Sequence, residues 1–259
     1  MGRLEGKVAI ITGAGEGVGR VMAQLFVREG AQVALAARRR HMLDETADLL
    51  DADPLVVPTD ITVEDDVTGL VSATVERFGQ VDVLMNNAAQ PGQDRHIWEQ
   101  TLENWNSTFA VDTTGAMLCM REVLRQSMLE RRRGAIVNFS STAGWTGMPR
   151  KTHYSAAKAA LRTLTKSVAL EVGPYGIRVN CLVPGGITTD LYINWVKRIA
   201  GEQGVPWEEL AERHAQGTAL RRISTPEEIA QAALFLASDE SSAITGQSIT
   251  ADAGVYMVG

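Results

Sequence analysis

The chain has 259 residues, of which 45% are hydrophobic and 22% charged, and this ordinary globular composition argues against a disordered protein. The net charge of -6 argues against a nucleic-acid partner, because binding a phosphate backbone requires a concentrated positive surface. The N-terminal apolar run is too short for a signal peptide or a membrane span, and Cys119 and Cys181 lie in apolar segments, so we expect a cytoplasmic protein with reduced thiols and no membrane contact.

A strand, a glycine turn and a helix open the chain. Residues 7–12 are rich in Val and Ile, and a helical pattern runs on to Arg28. This order is typical of a dinucleotide-binding entry, in which glycines let the backbone approach a pyrophosphate and the helix start offers unpaired N–H groups. The predicted cofactor contacts in this turn are Gly13, Gly15, Glu16, Gly17, Val18 and Gly19.

The second strand, residues 32–37, is followed directly by Arg38 and Arg39. An acidic residue at this point would bind the adenine ribose 2′-OH, whereas an arginine would pair with a 2′-phosphate. We therefore expect NADP(H) as cofactor, with Arg38 as the main phosphate partner. NAD(H) stays possible because the Glu16 carboxylate could face the same phosphate, and the arginines could instead form a solvated turn.

Two further strands, residues 53–58 and 81–85, end in candidate cofactor contacts. Asp60, followed by Ile61, could hold the adenine amino group or lie near a helix N-cap, and Thr62 with Asp65 offers capping-box spacing. The next strand ends in small residues and amides where a ligand would cross, including Asn87 and Ala88.

A long helical segment, residues 102–132, is interrupted at residues 111–115 by poor helix formers, and such a kink can mark a site. An apolar strand and Ser141 follow. Tyr154 and Lys158 are four residues apart and so share one helix face. A nearby ammonium group lowers the pKa of a phenol, which would make Tyr154 a usable proton donor or acceptor.

The sixth strand, residues 177–183, is followed by an insert at about residues 190–222. Open α/β sheets bind substrate beyond the carboxyl ends of their strands, so we predict a substrate lid here; a helical hairpin or an oligomer contact is the alternative. Candidate wall residues for an apolar substrate are Trp98, Trp145, Leu191, Tyr192 and Trp195. A helix capped by Thr225 and a strand at residues 247–251 complete an alternation that predicts a doubly wound parallel sheet.

Taken together, the chain resembles the short-chain dehydrogenase/reductase family over about residues 5–256. The motifs that carry the resemblance are Thr12-Gly13-x-x-x-Gly17-x-Gly19, Asp60, Asn86-Asn87-Ala88, Ser141, Tyr154-x-x-x-Lys158 and Pro184-Gly185 with Thr189. The resemblance implies an α/β fold: a single-domain Rossmann fold with a seven-stranded sheet, helices on both faces and assembly into a dimer or tetramer. We expect no metal, since the four histidines show no ligand spacing.

The resemblance also implies residue roles. Tyr154 would be the acid/base, Ser141 would polarise the reacting carbonyl, and Lys158 would lower the Tyr154 pKa and bind the nicotinamide ribose. The remaining implied cofactor contacts are Asn87 near the ribose, Ile187 and Thr189 at the carboxamide, and the adjacent Pro184 and Gly185.

Two positions depart from the family pattern. Asp112 stands where the family commonly has an Asn that supports a proton relay, and its charge would change the pH profile. Ala89 replaces a usual Gly, and one methyl group there should be tolerated. The expected function is hydride transfer between NADP(H) and a secondary alcohol or ketone, similar to 3-oxoacyl reduction; the alternatives are a non-catalytic dinucleotide-binding regulator and an epimerase or dehydratase.

Overall fold

A parallel sheet of seven strands forms the centre of the computed structural model, which describes residues 2–257. The strands are β1 (Val8–Thr12), β2 (Gln32–Ala37), β3 (Leu55–Pro58), β4 (Val83–Asn86), β5 (Gly134–Phe139), β6 (Ile177–Pro184) and β7 (Ser248–Ala251). Their spatial order is β3-β2-β1-β4-β5-β6-β7. After the edge strand β3 the chain therefore returns to the centre of the sheet, where β4 pairs with the other side of β1, and this order confirms the doubly wound Rossmann sheet.

Eleven α-helical segments connect the strands in the described part of the chain. They are α1 (Gly17–Arg28), α2 (Arg40–Ala47), α3 (Glu64–Phe78), α4 (Leu102–Phe109), α5 (Ala116–Val123), α6 (Leu129–Arg131), α7 (Ala143–Thr146), α8 (Thr152–Val172), α9 (Asp190–Gln203), α10 (Trp207–Gln216) and α11 (Pro226–Ala237). Apolar clusters lie on both sheet faces: one includes Phe26 of α1 and Leu234 of α11, the other Leu70 of α3 and Leu118 of α5. The near-continuous apolar strands fit this two-sided burial.

The parallel pairing sets the position of the site. β1 and β4 are neighbours although they are far apart in sequence, and β4, β5 and β6 follow in order. Because parallel strands present their carboxyl ends at one edge, the segments that follow Thr12, Asn86, Phe139 and Pro184 meet there. This edge, beside the switch between β1 and β4, is where ligands bind in open α/β sheets.

Local signals at the helix boundaries had mixed outcomes. The interruption of the long helix is confirmed: Ala110–Gly115 is a π-helical segment between α4 and α5. The Thr225 cap of α11 is also confirmed, with Glu228 completing a capping box. The capping box at Thr62 is wrong, because α3 begins after Val63 without a side-chain cap. The Thr62 N–H and hydroxyl instead donate to Asp60 Oδ1, at 3.0 and 2.7 Å.

Both cysteines are buried free thiols, as expected. Burial raises the pKa of Cys119 to about 12 and that of Cys181 to about 11, so neither is a thiolate at neutral pH. Within residues 2–257, no helix is both long enough and apolar enough to span a membrane.

Candidate active site

Tyr154 and Lys158 lie one turn apart near the start of α8, and the end of β5 holds the lysine in place. Lys158 is only 1% exposed, and its Nζ lies 5.6 Å from the centroid of the Tyr154 ring. The ammonium group donates to the Phe139 carbonyl at 2.9 Å, while the Ser140 hydroxyl donates to the Lys158 carbonyl at 2.8 Å. Strand and helix therefore fix the cation beside the phenol, as the four-residue spacing predicted.

Ser141 is brought to the same place by the turn that follows β5. Its Oγ accepts a hydrogen bond from the Ala143 N–H at 3.2 Å, and its interaction with the Tyr154 hydroxyl acts to lower the tyrosine pKa. Two hydroxyl groups from different elements thus face one small region, where both can donate to the oxygen of a bound substrate.

Asp112 lies in the π-helical segment, where it is 1% exposed and directly beside Lys158. Its Oδ2 is 3.7 Å from Lys158 Nζ, and its Oδ1 accepts from the Gln90 N–H at 2.7 Å. Burial raises the pKa of this carboxyl group, and the Lys158 charge only partly opposes the effect. Among residues 2–257 the buried Oδ2 has no hydrogen-bond partner, so it can accept a hydrogen bond from a ligand or a relay group.

The pKa of Tyr154 differs from the sequence-based expectation. Burial raises it, and this outweighs the lowering by the Lys158 charge and by Ser141; Asp112 acts in the same direction as burial. The expected lowering by the ammonium group is therefore present, but the net shift of the Tyr154 pKa is upward. Desolvation of the phenolate, which spacing along a helix does not reveal, is the larger effect.

The glycine turn after β1 is shaped for close approach by a ligand. Gly13 and Gly17 adopt left-handed backbone angles, with φ of 68° and 55°. A Cβ on Gly13 would lie 2.9 Å from the Ala88 Cα, and one on Gly19 would lie 2.1 Å from the Gly13 carbonyl oxygen. Glu16, the extended N-cap residue of α1, makes no side-chain cap hydrogen bond within the described residues, which leaves N–H groups at the helix start available to a pyrophosphate. The residues present therefore fit a dinucleotide.

Asn87 and Thr12 connect this turn to the end of β4. The Thr12 hydroxyl oxygen accepts from the Asn87 and Ala88 N–H groups, both at 3.1 Å. The Asn87 side-chain amide in turn donates to the Thr12 and Gly13 carbonyls, at 3.0 and 3.3 Å. Asn87 therefore positions the glycine turn. The sequence did not indicate this role, although Thr12 belongs to the glycine motif.

The end of β2 shows which arginine Glu16 contacts. The Glu16 carboxylate accepts from Arg39 at 2.6 Å. Arg38 is exposed, and its charge acts on Asp60. Burial opposes ionisation of Asp60, but hydrogen bonds from Thr62 and the Arg38 charge lower its pKa overall.

The segment after β6 lies opposite the glycine turn that follows β1. A Cβ on Gly17 would lie 3.6 Å from the Thr189 methyl group, so the glycine turn and this segment face each other. Thr189 donates its N–H to the Ile187 carbonyl at 2.6 Å, and Ile187 bridges to Ser224 beyond the insert. Gly185 packs against Asp252, where a Cβ would lie 2.8 Å from that side chain.

Known proteins resemble this chain along almost its full length. A family model described as enoyl-(acyl carrier protein) reductase matches residues 13–256. A short chain dehydrogenase/reductase of Aspergillus oryzae is 36% identical, with 98% of this chain and 97% of that protein covered. The chain belongs to the short-chain dehydrogenase/reductase family. It is therefore an oxidoreductase that acts on hydroxyl or keto groups with a nicotinamide dinucleotide.

Other members of this family give the same assignment. A 3-oxoacyl-(acyl-carrier-protein) reductase of Thermotoga maritima is 36% identical and covers 98% of this chain and 100% of that protein. A 2,5-dichloro-2,5-cyclohexadiene-1,4-diol dehydrogenase of Sphingobium indicum is 37% identical, with 98% of both chains covered. The crystal structure of levodione reductase superposes with a TM-score of 0.92 at 31% identity and covers 96% of this chain and 97% of that one.

The residues predicted to form an apolar wall have different immediate neighbours. Trp98 is 77% exposed and stacks on His96, while Trp145 stacks on Tyr256. Leu191 is exposed as well. Tyr192 and Trp195 do meet, with ring centroids 6.2 Å apart, and both lie against His214. The apolar substrate wall therefore stays a prediction.

The sequence interpretation also missed polar residues that support the site. Asn138 is fully buried in β5 and accepts from Asn86 at 2.8 Å while donating to Thr165 at 2.9 Å. Its polar side chain within an apolar strand was the available signal. Asp94 and Lys151 form a buried ion pair at 2.8 Å, and nothing in their local sequence indicated that they meet.

Proposed function

We propose that this enzyme transfers a hydride between NADP(H) and a secondary alcohol or ketone, with Tyr154 as the acid/base. The observation that carries the proposal is the buried Lys158 ammonium group beside the Tyr154 ring, next to the Ser141 hydroxyl. When bound, the nicotinamide supplies or accepts the hydride. Tyr154 donates a proton as the phenol in reduction and accepts a proton as the phenolate in oxidation.

In reduction, Ser141 and Tyr154 donate hydrogen bonds to the carbonyl oxygen, and Tyr154 gives up its proton as negative charge develops there. In oxidation, Tyr154 takes the hydroxyl proton. Lys158 favours the phenolate in both directions and binds the nicotinamide ribose. Asp112 Oδ2, which lies 3.7 Å from Lys158 Nζ, would accept a hydrogen bond that links Lys158 to a proton relay.

Hydride transfer is tested by absorbance of the reduced nicotinamide. NADPH and NADH are assayed with a panel that contains a 3-oxoacyl thioester and cyclic ketones, and NADP and NAD with secondary alcohols. Tyr154→Phe should lower kcat by about 10²- to 10⁴-fold, because it removes the transferable proton. Turnover that survives this change would remove Tyr154 from the proposed role.

The cofactor site would be formed by four segments at the carboxyl edge of the sheet. Its proposed contacts are Gly13, Gly15, Glu16, Gly17, Val18 and Gly19 at the pyrophosphate, Asp60 and Ile61 at the adenine, Asn87, Ala88, Tyr154 and Lys158 at the ribose side, and Pro184, Gly185, Ile187 and Thr189 at the carboxamide. Support comes from the close approach of Gly17 to Thr189 and from the uncapped start of α1.

A preference for NADP(H) is supported by the exposed Arg38 guanidinium and by the pairing of Glu16 with Arg39, which directs the carboxylate to a cation. Arg38→Asp should lower kcat/KM for NADPH relative to NADH by about 10- to 100-fold, the usual cost of losing a charge-assisted hydrogen bond. Arg40→Ala, which removes a neighbouring arginine paired with Asp44 on α2, serves as the control. An unchanged ratio in Arg38→Asp would exclude Arg38 as the phosphate partner.

For the substrate we propose a 3-oxoacyl compound, supported by the 3-oxoacyl-(acyl-carrier-protein) reductase of similar length. The insert with α9 and α10 would act as the substrate lid: the Tyr192 ring packs over Gly186, where a Cβ would lie 3.1 Å from Cε2. Tight cofactor binding with no turnover across the panel would favour the non-catalytic regulator. Product formation without net nicotinamide turnover would favour an epimerase or dehydratase.

We further propose that the enzyme is cytoplasmic and forms a homodimer or homotetramer through its long helices. Leu102 of α4 and Leu170 of α8 are highly exposed apolar side chains that such an interface would cover. Sedimentation equilibrium distinguishes a monomer from these assemblies.

A further inference from the structure

Asp94 joins three segments that are distant in sequence: the loop after β4, the residues before α8, and the lid helix α9. Its side chain is 7% exposed, and its carboxylate lies 2.8 Å from Lys151 Nζ while also accepting a hydrogen bond from Arg198. Burial opposes the charged form, but Lys151 and Arg198 outweigh it and lower the Asp94 pKa, so the carboxylate is ionised at neutral pH.

A second ion pair connects the same two elements. Glu202 of α9 accepts from Arg150 at 2.7 Å and from Arg198, one turn earlier on its own helix, at 2.6 Å. Arg150 has a left-handed backbone with φ of 65°, an uncommon conformation for a residue with a side chain. We call the group of Asp94, Arg150, Lys151, Arg198 and Glu202 the clasp.

The clasp is tied to the catalytic helix. Lys151 immediately precedes α8, and its Nζ lies 6.0 Å from the Tyr154 ring centroid. The Pro91 carbonyl accepts from Lys151 Nζ at 3.1 Å and contacts His153 Nε2 at 3.1 Å, and the Arg95 N–H donates to the Arg150 carbonyl at 2.9 Å. The loop after β4 and the start of α8 are thus held together by several hydrogen bonds, three of them to main-chain carbonyls.

The lid is attached differently. Its base is held by main-chain bonds, from Thr188 to Ser224 at 2.9 Å and from Leu220 to Ala253 at 3.0 Å. Its helix α9 reaches the loop and the start of α8 through the charged side chains Arg198 and Glu202. Such ion pairs can separate while the base stays folded, because no main-chain hydrogen bond need break.

We propose that Asp94 is a positioning residue that holds lid helix α9 against the segment leading into Tyr154, so that release of the clasp opens the substrate side of the site. This inference rests on the proposed oxidoreductase function and on the lid. Loss of the clasp should weaken substrate binding more than the chemical step, because Lys158 keeps its hydrogen bond to the Phe139 carbonyl of β5 and so stays beside Tyr154.

The test compares Arg198→Ala with Arg213→Ala. Arg213 is paired with Glu209 within α10, so its removal deletes a lid ion pair that does not reach the catalytic helix. Hydrogen exchange of peptides from α9 needs no substrate. It should accelerate roughly two- to fivefold in Arg198→Ala, which loses its partly exposed ion pairs with Asp94 and Glu202, and stay at the wild-type rate in Arg213→Ala.

Kinetics with a substrate found in the panel should show KM raised by a similar factor in Arg198→Ala, with kcat nearly unchanged and with partial rescue in Arg198→Lys. Equal α9 exchange in wild type, Arg198→Ala and Arg213→Ala would overturn the clasp. If α9 exchange accelerated in Arg198→Ala but the wild-type enzyme turned over no panel substrate, the clasp would be supported and the proposed function rejected.

Discussion

The π-helical segment and the loop after β4 each bury one carboxylate beside α8, yet the two groups respond to burial in opposite ways. The Asp112 carboxylate lies 3.7 Å from Lys158 Nζ, and burial raises its pKa despite the charges of Lys158 and Lys151. Asp94 contacts both Lys151 and Arg198, and its pKa is lowered. The two cations in direct contact with Asp94 outweigh its desolvation, whereas the charges of Lys158 and Lys151 do not outweigh the more complete burial of Asp112.

This difference predicts opposite pH trends in stability. The lowered pKa of Asp94 adds stability above the unfolded-state value of about 4, and the gain is lost as the pH falls through the folded value. Asp94→Asn should therefore lower the free energy of unfolding by about 1–3 kcal/mol near neutral pH, with a smaller deficit in acid. The raised pKa of Asp112 costs stability as the pH rises from about 4 through the folded value. Relative to wild type, Asp112→Asn should therefore become more favourable over that window.

Urea unfolding of the two variants and the wild type between acid and neutral pH measures both trends. Lys166→Ala, an exposed position on α8, is the control for a change of charge on the same helix. Parallel trends for Asp94→Asn and Asp112→Asn would contradict the assigned difference in pKa.

A smaller effect is expected on the reaction itself. An ionised Asp112 raises the Tyr154 pKa, so Asp112→Asn should lower it and move the base-dependent limb of the oxidation rate to lower pH, with a change of a few-fold in rate on that limb. The measurement is kcat/KM against pH with NADP and an active alcohol. If the activity and pH profile of Asp112→Asn both matched the wild type, Asp112 would have no part in the relay. Asp94→Asn serves as the control and should leave the pH profile unchanged.

Signals within short windows were reliable in this chain. The strand, glycine turn and helix around Gly13, the Thr225 cap and the interruption near Asp112 all formed where the sequence indicated. The capping box predicted at Thr62 does not form, because the Thr62 N–H and hydroxyl donate to the Asp60 carboxylate instead. Competition between neighbouring side chains for one donor is not visible in capping-box spacing alone.

The sequence by itself determined the order of strands and helices, the glycine turn and the shared face of Tyr154 and Lys158, because these follow from patterns within a few residues. Only the tertiary structure decided the charge states and partners: burial raised the Tyr154 pKa, Glu16 paired with Arg39, and Arg198 reached Asp94 across 104 positions of sequence. Desolvation and ion pairing depend on which distant segments pack together, and no local pattern contains that information.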